Sequence, residues 1–106
     1  MTKSTSAAKG YWIVAYRNIR DPQKLADYVR LAVPALEASG GRSLLSREGM
    51  IEAHEAGKPA RTVLIEFPSF DAARSAYRSP PYQAALVALG DGAERDFRIV
   101  EGLADS

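Results

Sequence analysis

The chain has no cysteine, and its 106 residues include a single histidine, a single tryptophan and two methionines. Without cysteine there is no disulfide, no thiolate nucleophile and no cysteine-ligated metal. The one imidazole, His54, lies between Glu52 and Glu55 in a hairpin arm; it has no second histidine to complete a structural zinc site, and from that position it supports no serine–histidine–acid arrangement. No metal and no cofactor are expected. Charge of one sign is also missing. Lysine plus arginine number 14 against 13 acids, which leaves no electrostatic case for nucleic acid or an anionic membrane surface. No apolar run is long enough to span a bilayer. Residues 1–9 lack the apolar segment of a secretory signal and read as a flexible tail ahead of one domain over residues 10–103. A cytoplasmic location is the expectation.

What is present suits one folded domain. Hydrophobic residues make up 46% and charged residues 25%, a balance that supports a core rather than disorder. Tyr11 to Arg17 is a run of aromatic and β-branched residues and predicts a first strand. Asp21-Pro22 then reads as a helix start, because Asp accepts the first free backbone N–H groups and Pro has none to leave unpaired. Leu25, Tyr28, Val29, Ala32, Val33 and Leu36 follow at helical spacing, with Pro34 expected to kink the last turns and Gly40-Gly41 to end them. Ser43 to Arg47 predicts a second strand, with Met50 to His54 continuing the pairing up to a hairpin loop at Gly57-Lys58-Pro59. Arg61 to Phe67 is the clearest strand, and its period of two puts Val63, Ile65 and Phe67 on one face and Thr62, Leu64 and Glu66 on the other. A second helix starts at Ser69, breaks at Ser79-Pro80-Pro81 and resumes to Gly90. Phe97 to Val100 is the last strand.

The order is therefore βαββαβ, which predicts an α+β, ferredoxin-like fold: a four-stranded antiparallel sheet with its helices on one face. Helices on one face leave the other bare. That face keeps Leu64 and part of the first strand, and apolar area in water costs roughly 25 cal/mol per Å². A homodimer closing a barrel is the simplest remedy.

Gly10-Tyr11-Trp12-Ile13, Asp21-Pro22, Gly40-Gly41-Arg42, Ile65-Glu66-Phe67-Pro68-Ser69, Tyr77 to Gln83, Asp96-Phe97 and Val100-Glu101-Gly102 together resemble the bacterial family catalogued as domain of unknown function 1330. The resemblance runs from about Gly10 to Gly102 and implies a dimeric α+β barrel; it implies no activity. Pro81 departs from the family pattern, in which an acidic residue is common at that place. Other families of the same superfamily include cofactor-independent monooxygenases, but a shared fold does not carry chemistry.

Glu66 is the leading candidate for chemistry, an acid inside an apolar strand. It reads as a pocket carboxylate able to act as acid or base, or as one half of an ion pair with an arginine. Tyr77, Ser79 and Tyr82 at the helix break, with Arg61 at a strand start, are candidate ligand-binding groups; the bland account makes Ser79 a cap and the tyrosines packing residues. Trp12, Tyr16 and Tyr28 read as core or interface; Arg42, Arg47 and Arg61, near strand ends, read as groups for an anionic ligand or, more ordinarily, as scattered surface charges. The expected function is a small-molecule-binding barrel, with Glu66 as acid or base if it is an enzyme. The alternative is a non-catalytic dimerisation or stress-associated module. An RNA-recognition domain shares the element order, but its third strand needs exposed aromatics, and Arg61-Thr62-Val63-Leu64-Ile65-Glu66-Phe67 offers none.

Overall fold

The computed structural model describes residues 8–104, so most of the expected tail, residues 1–7, lies outside the described residues. Strand β1 (Gly10–Ile19) is followed by helix α1 (Pro22–Ala38), strands β2 (Arg42–Arg47) and β3 (Thr62–Phe67), helices α2 (Phe70–Arg78) and α3 (Pro80–Leu89), and strand β4 (Ala93–Glu101). The sheet is antiparallel in the order β2-β3-β1-β4. This is the expected ferredoxin-like arrangement, with the second helix split in two by Ser79 and the prolines after it.

Local chemistry accounts for the boundaries. The Asp21 carboxylate accepts from the N–H groups of Gln23 (3.0 Å) and Lys24 (3.2 Å), which starts α1. The helix continues through Pro34. It stops when Gly40 takes φ 83°, letting Gly41 N–H reach the Leu36 carbonyl (2.8 Å) and Gly40 N–H that of Glu37 (3.2 Å), the paired bonds of a Schellman cap. Gly10 is needed for another reason. A Cβ there would lie 2.3 Å from the Ser69 carbonyl oxygen, where β1 runs beneath the start of α2.

The alternation of β1 and β3 sorts the sheet into two faces. Trp12, Val14, Tyr16, Ile65 and Phe67 are buried under the helices, against Leu25, Tyr28 and Ala32 of α1 and Ala73, Ala76 and Tyr82 of α2 and α3. Alanines on the helices let them lie close to the large rings of the sheet. Trp12 is the hub. Its ring centroid is 5.0 Å from Phe67, 4.8 Å from Tyr82 and 5.0 Å from Phe97, and its indole N–H donates to the Ala73 carbonyl (2.8 Å). The opposite face carries Ile13, Leu45 and Val100, each exposed to between 39% and 40%, with Leu64 half-buried between them.

Two expectations need correction. Met50 to His54 does not extend the β2–β3 hairpin; pairing ends at Arg47 opposite Thr62. Met50 turns to φ 59° and is 93% exposed, and Pro59 on the facing segment has no N–H to give a ladder. Residues 48–61 are therefore an irregular loop. Strand β4 is longer than Phe97 to Val100, because it pairs along nearly all of β1, from Ala93 opposite Ile19 to Glu101 opposite Gly10. The central strand recruits Glu94-Arg95-Asp96, a polar stretch with no strand signal of its own.

Candidate cavity between helix α1 and the sheet

Helix α1 packs chiefly on α3. The sheet extends past it on the β3–β2 side, and a cavity of about 110 Å³ opens between α1 and the strands. Its walls are mostly apolar: Trp12 and Val14 from β1, Val29 and Ala32 from α1, Val63 and Ile65 from β3. Its polar groups come from Tyr16, Tyr28, Ser43, Ser46, Arg61 and Arg95; no Asp or Glu lines it. Two further depressions of about 570 and 260 Å³ share walls with it, the first through Val29 and Arg61, the second through Val33, Leu36, Ser43 and Ile65. The cavity is thus one part of a groove along α1.

Two guanidinium groups stand in this wall. Arg61, at the foot of β3, has a side chain only 16% exposed; it donates to Glu48 (2.8 Å) and Ser46 Oγ (3.3 Å), and its cation lies 5.5 Å over the Tyr16 ring. Its Nε–H is buried without a hydrogen-bond partner among the described residues. Arg95 stands opposite Tyr16 in the β1–β4 register, on the helix side. It is ringed by Tyr28 (4.8 Å), Phe97 (5.2 Å) and Tyr16 (5.6 Å) and donates to the Tyr28 hydroxyl at 3.0 Å. Burial disfavours its charged form, but the tyrosines around it, Tyr28 first, carry its pKa above the ordinary guanidinium value, so it is a cation throughout. Tyr28 also shares a 2.7 Å hydrogen bond with Tyr82, whose phenol burial pushes well above its usual pKa.

The residues singled out from the sequence fall in three places. Glu66 lies on the face away from the cavity, opposite Tyr11 in the β1–β3 register. Its carboxylate is 17% exposed, pairs with Arg42 at 3.2 Å and accepts from the Tyr11 hydroxyl at 3.3 Å. Tyr77 and Tyr82 belong to the aromatic cluster, their centroids 5.4 Å apart, and Tyr82 sits directly behind Tyr28. Ser79 closes α2 by donating to the Ala76 carbonyl (2.8 Å), while its hydroxyl caps nothing in α3. Of the set, Arg61 alone lines the cavity. Tyr28 and Arg95 were not among the sequence candidates. Tyr28 looked like part of an apolar helix stripe. Arg95 was legible only by running the period of Phe97 and Ile99 one step back, onto the same face.

No group of three or more metal-ligating side chains occurs among the described residues, and no described helix is long and apolar enough to cross a membrane.

The family described as domain of unknown function (DUF1330) matches residues 9–103. No curated protein matches the chain. Among solved structures, the chain is similar to RPA0582, a protein of unknown function from Rhodopseudomonas palustris, at 18% identity and TM-score 0.71, over 91% of this chain and 83% of that one. It is similar to a nipsnap family protein of unknown function from Agrobacterium tumefaciens at 12% identity and TM-score 0.56, over 95% and 93% of the two chains. It is also similar to SnoaB, a cofactor-independent oxygenase from Streptomyces nogalater, at 14% identity and TM-score 0.52, over 88% and 89%. At these identities the likeness is one of fold.

Proposed function

The chain belongs to the DUF1330 family, and from that premise, which carries no activity, we propose that it is a homodimeric α+β barrel that binds a small molecule in the cavity between α1 and the sheet. The observation that carries this reading is the cavity itself: about 110 Å³ of space with apolar walls and a few convergent polar groups, Tyr28, Arg61 and Arg95. An apolar protein cavity of about 150 Å³ accepts benzene, so a ring-sized ligand fits here with part of it in the adjoining groove. The likeness to a cofactor-independent oxygenase supports ligand chemistry on this fold, and nothing narrower.

The reading gives no acid or base role to Glu66, whose carboxylate is held by Arg42 and Tyr11 on the other face. Tyr77, Tyr82 and Ser79 support the site from behind, and Arg61 contacts the ligand. The dimer covers the bare face, where Ile13, Leu45, Leu64 and Val100 stand together. A dimerisation module with no ligand is the competing reading; the ion pair that occupies Glu66 favours it.

One titration separates the two. A panel of ring-sized fragments, neutral and charged, is followed by amide and methyl NMR shifts. Binding is expected at Val29, Ala32 and Val63. Ala32→Leu, which fills the cavity and leaves every polar group in place, is expected to abolish it while keeping the dispersed spectrum of a folded chain. A panel that moves none of these signals, or binding unchanged in the Ala32→Leu variant, defeats the proposal.

A further inference from the structure

Two guanidinium groups bring donors into the wall of the cavity, beside the hydroxyls of Tyr16, Tyr28, Ser43 and Ser46, which can donate or accept. Of the described arginines, only Arg61 and Arg95 are half-buried; the others are exposed. Arg61 is answered by Glu48. No carboxylate among the described residues lies within ion-pair distance of Arg95. A guanidinium has five N–H groups in its plane and accepts nothing. The rings beside Arg95 meet its charge, and the Tyr28 oxygen takes one of its hydrogens at 3.0 Å.

The hydroxyls point the same way. Tyr82 is 1% exposed; its hydroxyl lies 2.7 Å from that of Tyr28, and Arg95, which also acts on it, can only donate. If Tyr28 donated to Tyr82, the Tyr82 proton would be left unpaired in the core, which is costly for a buried donor. The satisfied arrangement has Tyr82 donating to Tyr28. Tyr28 then accepts from both Tyr82 (2.7 Å) and Arg95 (3.0 Å), and its own O–H is left for the cavity it lines. The Arg61 Nε–H, buried and unpartnered, is a further donor in the same wall.

Resting on the reading of the cavity as a ligand site, we propose that its ligand is a small organic carboxylate, with its apolar body among Val29, Ala32 and Val63 and its carboxylate on Arg95 and the Tyr28 hydroxyl. A carboxylate brings acceptors only, and its two oxygens match the planar fork of a guanidinium. An amide of the same shape offers one acceptor oxygen in place of two and no charge to set against the guanidinium.

The test compares benzoate with benzamide, two probes of one shape, by NMR titration of the full chain, with variants Arg95→Met and Arg95→Lys. Benzoate is expected to bind the wild type at least about tenfold more tightly than benzamide, in line with a hydrogen bond to a charged group. Arg95→Met should remove that preference by weakening benzoate, and Arg95→Lys should keep part of it. Equal affinities in the wild type overturn the proposal, as does a benzoate preference that survives in Arg95→Met. If Arg95→Met does not fold, the wild-type comparison and Arg95→Lys decide, and a benzoate preference undiminished in Arg95→Lys also counts against a forked contact. Cavity shifts with neutral fragments and none with benzoate overturn the carboxylate while leaving the ligand site standing. Cavity shifts with no fragment at all defeat both.

Discussion

Tyr82 shows how one side chain ties the core to the candidate site. Its ring packs 4.8 Å from Trp12, and its hydroxyl sets the direction of the Tyr28 proton. Its phenol is neutral in the folded protein well past the ordinary value of 10.0, because burial disfavours the phenolate. A folded-state pKa above the unfolded one means that the unfolded chain releases the proton first. Stability is then complete below pH about 10 and declines as pH rises beyond it, by at most about 1.4 kcal/mol per pH unit for this group. Denaturant midpoints measured at pH 8 and at pH 11 should fall further apart in the wild type than in Tyr82→Phe. An equal decline in both proteins counts against the burial argument. Lys24, which gains Asp91 at 2.8 Å, titrates in the same alkaline range and is untouched by the variant. Arg95 and Tyr28 face the phenol in both proteins except for the lost hydroxyl.

Elements follow their local signals where those signals are strong. Asp21 begins α1 through two hydrogen bonds, and Asp21→Ala should cost about 1 kcal/mol in chemical denaturation, with Asp21→Ser recovering most of it. A loss under about 0.5 kcal/mol, the scatter of ordinary surface substitutions, would show that the surrounding packing holds the helix start without the cap. The start and end of α1, the break at Ser79 and the two faces of β3 were all legible, because each depends on residues within one turn or one pleat. The loop at 48–61 and the first half of β4 were not. Residues 50–54 follow the β2 strand in sequence but pair with no described strand, whereas Glu94-Arg95-Asp96 has a polar composition and a partner in β1. Pairing is a property of two segments, and one-dimensional patterns describe only one.

At the scale of the molecule, the fold is two layers with one outer face of the sheet uncovered. Its Cα radius of gyration is 14.7 Å, above the roughly 13 Å of a compact domain of this length. Tyr11, Ile13, Leu45, Leu64 and Val100 make an apolar centre on that face, flanked by the Glu66–Arg42 and Asp96–Arg98 pairs. The proposed dimer predicts that light scattering at micromolar concentration returns twice the chain mass. Ile13→Asp or Leu64→Arg should return the monomer mass with the helical circular dichroism retained. A wild type that is monomeric under those conditions rules out the covered face, and leaves the cavity, which lies on the other side of the sheet, to be judged by its own titration.

The sequence by itself determined the element order, the fold class, the residues under the helices and the family, because periodicity, caps and turn residues act over a few positions and survive in one dimension. It did not determine the candidate site. Glu66 drew attention as an acid in an apolar strand, yet the register of β3 puts it on the far face beside Arg42 and Tyr11. Tyr28 and Arg95, 67 positions apart, meet at 3.0 Å only after β4 has paired with β1 and α1 has settled over the sheet. The space beside them exists because α1 leans on α3 and leaves β2 and β3 partly uncovered. Cavities are made where packing stops, and where packing stops is decided by all the elements at once.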